Sequence, residues 1–208
     1  QGARVLTKFS EFTAKFPDIE SLAAAELTEV LRAWQGLGYN RRAQYLHRAA
    51  QAIAAGVPVT TLDDLVALPG IGINTAGAIM NYAYQAPTLF IETNIRTVYL
   101  NHFFADQTAV ADCDILPIVE RTMDRANPRQ WFWALMDYGN ELKAQGKGKL
   151  SASRHYTKQS QFIGSLRQMR GEILRRYVGG QPLAEITADL QDDSRFSAAL
   201  DGLRRDGL

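Results

Sequence analysis

Between two stretches of helical periodicity the chain reads Leu68-Pro-Gly-Ile-Gly72, the segment whose residue types and spacing most directly suit contact with a polyanion. Pro69 lacks an N–H and disfavours helical geometry at Leu68, so it ends the first helix. Gly70 and Gly72 permit a tight hairpin whose backbone can approach another molecule closely. A second helix then begins among Ile73, Asn74 and Thr75, and its unpaired N–H groups and positive end suit a phosphate oxygen. Gly70, Ile71, Gly72, Asn74 and Thr75 are therefore candidate phosphate contacts. The alternative is an ordinary corner between helices that uses glycine for geometry alone. His47 and His102 fall in helical segments with no second ligand at a useful spacing, which favours packing or surface roles over a metal.

The rest of the composition narrows the setting. The chain has 208 residues, 46% hydrophobic and 22% charged, which is enough for one sizeable core or two small ones and excludes wholesale disorder. No run approaches the ~20 apolar residues of a bilayer span, and the opening QGARVLTKFS lacks a signal-peptide core. A single cysteine, Cys113, leaves no internal disulfide and no cysteine-ligated iron–sulfur cluster or zinc ribbon. The chain thus reads as soluble, cytoplasmic or otherwise intracellular, and free of Cys-bound metal. Its formal charge of +1 hides an asymmetry: residues 1–140 carry −3, residues 141–176 carry +7 and residues 177–208 carry −3. The central excess, which includes Lys147, Lys149, Arg154 and Lys158, would attract a polyanion; the alternative is a solvated linker.

Helices must position these residues. Val5, Leu6, Phe9, Phe12 and Phe16 line one helical face before Pro17. Ser21 precedes a second helix marked by Leu22, Leu27, Val30, Leu31 and Trp34. GLGYN at 36–40 is a break, and a third helix from Arg41 is closed by Gly56. Thr61 caps a short helix before the hairpin. Further helices are expected in NIRTVYLNHFF, ILPIVERTMD and PRQWFWALMDYGNELK, where Trp131, Phe132 and Trp133 read as core packing. With no alternating strands, residues 1–145 form an all-α domain. Residues 146–160 read as a basic linker or extended tract. Residues 161–208 read as a small helical unit, helix-turn-helix or partly winged-helix-like.

ALPGIGINTAGAI, preceded by WQGLGYNRRAQYLHRAAQAI and followed by FIETNIRTV and NPRQWFWALMDYG, resembles the helix-hairpin-helix DNA glycosylases. Within them it is most similar to the A/G-mismatch-specific adenine DNA glycosylases, with endonuclease III more distant. The resemblance covers roughly residues 1–142 and implies a base-excision repair enzyme acting on double-stranded DNA, working as a monomer. Such an enzyme flips a base from the duplex and cleaves its N-glycosidic bond. The bond leaves positive charge on the sugar, so the site needs a carboxylate there and a proton source for the base.

By resemblance the carboxylate is Glu92, where the family carries Asp, with Asn94 orienting it or the water. The extra methylene of Glu92 displaces the acid, a change that bears on efficiency and substrate; its other reading is a cap for the helix beginning near Asn94. Position 74 holds a Schiff-base lysine in endonuclease III–like members and Ser or Tyr in adenine glycosylases. Asn74 implies a monofunctional enzyme. Gly38, Tyr39 and Arg41 match a family loop near the flipped base, and Gln1 the start of a wedge helix. The carbonyls of Val66, Leu68 and Ile71 would hold a monovalent cation, Na or K. The family's cluster cysteines, expected after Asp137-Tyr-Gly139, are replaced by the basic tract, whose Lys147, Lys149, Arg154 and Lys158 would take over DNA contacts. The family's general-acid Glu lies upstream of the stretch matching Gln1. The alternative function is a catalytically impaired DNA-binding module, or a glycosylase for another damaged base.

Overall fold

The computed structural model describes residues 2–208, with side chains from Val5 onward, and Gln1 and its wedge assignment lie outside them. Among the described residues the secondary structure is helical throughout, apart from one isolated bridge between Val110 and Ser153. Among the described residues no helix is long and apolar enough to cross a membrane. The chain divides into two compact units, each assembled from separate stretches of sequence.

Unit 1 comprises Gln1–Pro58, Leu68–Gly70 and Gln159–Leu208. It holds α1 (Gly2–Lys15), α2 (Ile19–Ala24), α3 (Leu27–Trp34), α4 (Arg41–Ala54), α10 (Leu166–Val178), α11 (Leu183–Leu190) and α12 (Phe196–Asp206). Phe16, Leu22, Val30, Leu31, Ala43 and Ala50 pack with Leu174 and Val178 of α10, so the C-terminal helices complete the N-terminal core. Met169, Ile173, Ile186, Phe196, Ala199 and Leu203 form a second cluster among α10, α11 and α12. Helix α10 packs on α3 as well as on α11 and α12.

Two local expectations are corrected here. The segment expected as one helix after Ser21 is α2 and α3, separated where Ala25 and Glu26 are extended. Asp18 is the cap, and Ser21 answers it from the third helical position. The apolar pattern cannot register this break, because Leu22, Leu27, Val30 and Leu31 join one cluster on both sides of it. On α1 the apolar face is only partly used: Phe12 and Phe16 pack, while Leu6 is 73% and Phe9 66% exposed.

Unit 2 comprises Val59–Ala67 and Ile71–Lys158. It holds α5 (Leu62–Ala67), α6 (Ile73–Tyr82), α7 (Thr93–Phe103), α8 (Asp112–Thr122) and α9 (Pro128–Ala144). α7 is the central element, with Ile95, Tyr99 and Leu100 buried against Phe90, Ile115, Val119, Phe132 and Leu135. Phe132 is wholly buried, but Trp133 is 52% exposed, which corrects its placement in the core. Adjacent helical residues are ~100° apart, and with Phe132 at the centre of the buried face Trp133 falls beyond its edge. The tract read as a linker docks on this unit as far as Lys158. A 3-10 turn at Leu150–Ala152 and backbone bonds between Val110 and both Ala152 and Arg154 seat it beside α7.

Candidate active site

Glu92 closes an extended run and begins α7, with φ −116° and ψ −179°. Its Oε1 accepts the N–H groups of Asn94 and Ile95, the latter at 2.9 Å. Such a cap is worth about 1 kcal/mol and uses one oxygen. Oε2 takes part in none of the hydrogen bonds formed by Glu92 among the described residues. The half-buried carboxylate therefore serves the helix with one atom and keeps the other available. Beside it, Asn94 directs Nδ2 at Met136 Sδ, 3.9 Å away, while its buried Oδ1 has no partner among the described residues.

Three close approaches set the position of this helix end. Asn74 Oδ1 accepts the Ile91 N–H at 3.1 Å, fastening the chain to the first turn of α6 one residue before Glu92. Thr88 Oγ1 donates to the Gly77 carbonyl at 2.8 Å, and a Cβ on Gly77 would lie 2.9 Å from the Leu89 oxygen. On α9, a Cβ at Gly139 would overlap the backbone carbonyl of Asn94. Backbone thus meets backbone on both sides of the carboxylate, leaving little freedom to its Cα. Arg96 then pairs bidentately with Asp112 at 2.7 and 2.8 Å, tying α7 to α8.

The start of α6 is open. Its cap residue, Gly72, offers no side-chain acceptor, and the N–H groups of Ile73, Asn74 and Thr75 form no backbone bond outside the helix among the described residues. Gly72, Asn74 and Thr75 are exposed and Ile71 is half-buried. Free donors at a positive helix end are what an anion requires. At the far end of α6, Tyr82 stacks on Trp133 with centroids 6.2 Å apart and meets Phe90 edge-on at 5.7 Å. Burial and the nearby Glu92 charge push its phenol up to about 12.

In unit 1, Gly70 takes φ +75°, and a Cβ there would fall 2.5 Å from Tyr45 Cβ and Cγ. The same tyrosine hydroxyl meets Arg41 at 2.6 Å, and the guanidinium lies 5.5 Å from the ring and 3.6 Å from Asp206. Gly38 and Tyr39 both have positive φ, 73° and 52°, a conformation a tyrosine seldom adopts. Trp34 Nε1 donates to the Gly38 carbonyl at 3.0 Å, and Gln159 Nε2 donates to the Tyr39 hydroxyl at 2.8 Å, leaving the ring 60% exposed. A cleft of about 1250 Å³ opens here, lined by this loop, Lys8, Arg42, Arg167, Arg170 and Arg175.

The basic tract is exposed in unit 2. Lys149 Nζ donates to the Ala105 carbonyl at 2.8 Å, whereas Lys147, Arg154 and Lys158 form no ion pair among the described residues. No group of three His, Cys, Asp or Glu side chains could hold a metal among the described residues. His47 is buried beside Gln51, and His102 is exposed against Tyr138.

Residues 1–126 match the family of HhH-GPD superfamily base excision DNA repair proteins. The chain belongs to this superfamily. It is 40% identical over 236 residues to an adenine DNA glycosylase of Mycobacterium tuberculosis, spanning 100% of this chain and 77% of that protein. It is 32% identical over 229 residues to an adenine DNA glycosylase of Mycolicibacterium smegmatis, spanning 99% of this chain and 78% of that one. A Rattus norvegicus adenine DNA glycosylase matches at 32% over 148 residues, 67% of this chain and 28% of its own. For this HhH-GPD chain, sequence reasoning reached the hairpin and Glu92 but missed Gly77, Gly139 and Tyr82. Glycines inside helical runs were the available signal for the first two.

Proposed function

We propose that this HhH-GPD protein hydrolyses the N-glycosidic bond of adenine in a mismatched DNA duplex, as a monofunctional glycosylase. The observation that carries the reading is the Glu92 carboxylate: half-buried, locked by backbone on two sides, and with Oε2 unengaged among the described residues. A carboxylate so held stabilises the positive charge that develops on a flipped sugar and orients the attacking water. Asn94, whose Oδ1 lacks a partner among the described residues, would accept a hydrogen bond from that water. The open N–H groups at the start of α6 would grip a phosphate. Gly38, Tyr39 and Arg41 would contact the strand. Adenine as the excised base is supported by the names of the mycobacterial and rat relatives.

Asn74 carries no amine and its Oδ1 is engaged by Ile91, which supports hydrolysis without Schiff-base chemistry. A cysteine-ligated cluster does not fit this chain, which has one cysteine, the exposed Cys113. We read the protein as working without it, with Lys147, Lys149, Arg154 and Lys158 toward DNA phosphates. A monomer acting on intracellular DNA completes the reading.

Single-turnover excision from duplexes carrying adenine opposite 8-oxoguanine, with uracil, hypoxanthine and alkylated-base duplexes beside it, tests this. Adenine release that falls at least ~100-fold in Glu92→Gln, with duplex binding retained, supports the enzyme. Because Glu92 also caps α7, a DNA-binding module is the second reading; binding without excision on every duplex would establish it.

A further inference from the structure

The Tyr82 hydroxyl is a buried polar atom with no hydrogen-bond partner among the described residues. A polar group in that state is uncommon in proteins and calls for an explanation. Its ring is not loosely placed: Trp133 stacks on it and Phe90 abuts its edge, so the oxygen is held at one point inside unit 2. Phe90, against the ring's edge, lies two residues before Glu92 in the chain, and burial together with the Glu92 charge pushes the phenol up to about 12. Tyr82 is thus a fixed donor seeking an acceptor. Glu92 supplies the reciprocal feature, for Oε1 takes both α7 amides while Oε2 takes neither. Its additional methylene adds a torsion that the two amides restrain at one oxygen only.

We infer that Tyr82 is a positioning residue for the reaction, its hydroxyl donating to Glu92 Oε2 directly or through the attacking water once a nucleotide enters. This rests on the assignment of Glu92 as the carboxylate that serves the sugar. The hydroxyl exchanges no proton with substrate; it narrows the orientations of the second oxygen. Its position two turns beyond Asn74 places a hydroxyl donor on the same helix whose first turn carries the asparagine.

Tyr82→Phe keeps the ring stack and removes the donor alone. The expected result is a single-turnover adenine excision rate about 10-fold lower, with duplex Kd within twofold and melting midpoint unchanged. In the Glu92→Gln background the same change should produce no further loss, since the acceptor charge is gone. A Tyr82→Phe enzyme as fast as the unsubstituted protein, or an equal loss in both backgrounds, overturns the inference. A readout free of activity separates it from the parent reading: the Tyr82 resonance in 13Cζ-tyrosine-labelled protein should move on Glu92→Gln. If the unsubstituted protein excised nothing, the proposed function would fall while the resonance still decided the coupling. A resonance indifferent to Glu92→Gln would refute the pairing.

Discussion

Asn74 and Glu92 show how one side chain can satisfy a structural need and leave room for chemistry. The Asn74 amide oxygen holds the Ile91 N–H, and a neutral hydrogen bond of this kind contributes about 1 kcal/mol. Asn74→Ala is therefore expected to lower stability by about 1 kcal/mol in urea unfolding and to slow excision through displacement of Glu92. Asn74→Asp, which retains an acceptor, should recover much of the loss. Asn74→Lys brings an amine but no acceptor, so a gain of borohydride-trappable complex should come with reduced stability. For Glu92, Oε1 meets the capping reading, and the catalytic reading proposed from the family position falls to Oε2. Sequence could state these alternatives but not divide them between two oxygens, because that division depends on where the α7 amides point.

At the scale of helices, the crossing of α7 and α9 is the demanding contact. Gly139 lets the two backbones meet at Asn94. Gly139→Ala should destabilise the protein by about 3 kcal/mol and impair excision, because the displaced backbone cannot move aside as a side chain can. Gly171 on α10 has open space around it, so Gly171→Ala should be neutral or stabilising by up to ~1 kcal/mol. Chemical denaturation of the two variants distinguishes backbone contact from general glycine loss. Acid sensitivity has its place at α12, where Asp193 accepts bonds from the Arg195 backbone and guanidinium. Those bonds lower its carboxyl to about 2. A carboxyl depressed on folding favours the folded state above its unfolded range, near 4, and loses that advantage as pH falls through about 2. Thermal midpoints of Asp193→Asn should lie below those of the unsubstituted protein at pH 5 and approach them as pH falls through about 2.

For the whole molecule, the charge distribution governs the first encounter with DNA. Lys147, Arg154 and Lys158 are exposed and unpaired among the described residues, so each can release counterions on meeting a phosphate. Replacing any one by Ala should reduce the slope of log affinity against log salt by about 1, with similar effect across duplex sequences. Lys149 is tied to the Ala105 carbonyl, and Lys149→Ala should change that slope less than the other three. The division into units is likewise a property of the whole chain: unit 1 draws on residues near both ends of the chain and on three hairpin residues.

Local chemistry accounts for what could be read in advance. Proline, glycine and capping residues act within a few positions, so the α5–α6 pair and a helix starting near Asn94 were legible from local sequence, with Glu92 as its cap one of two readings. The likeness to the glycosylase family likewise rests on short motifs in order. Tertiary structure decided which apolar positions were used, leaving Phe9 and Trp133 exposed and joining α10 to the core of α3. It also decided that Gly139 would press on Asn94 and that the Tyr82 hydroxyl would be buried without a hydrogen-bond partner among the described residues. These depend on surfaces brought together from distant sequence, and a periodic pattern records only that a face is apolar, never what will cover it.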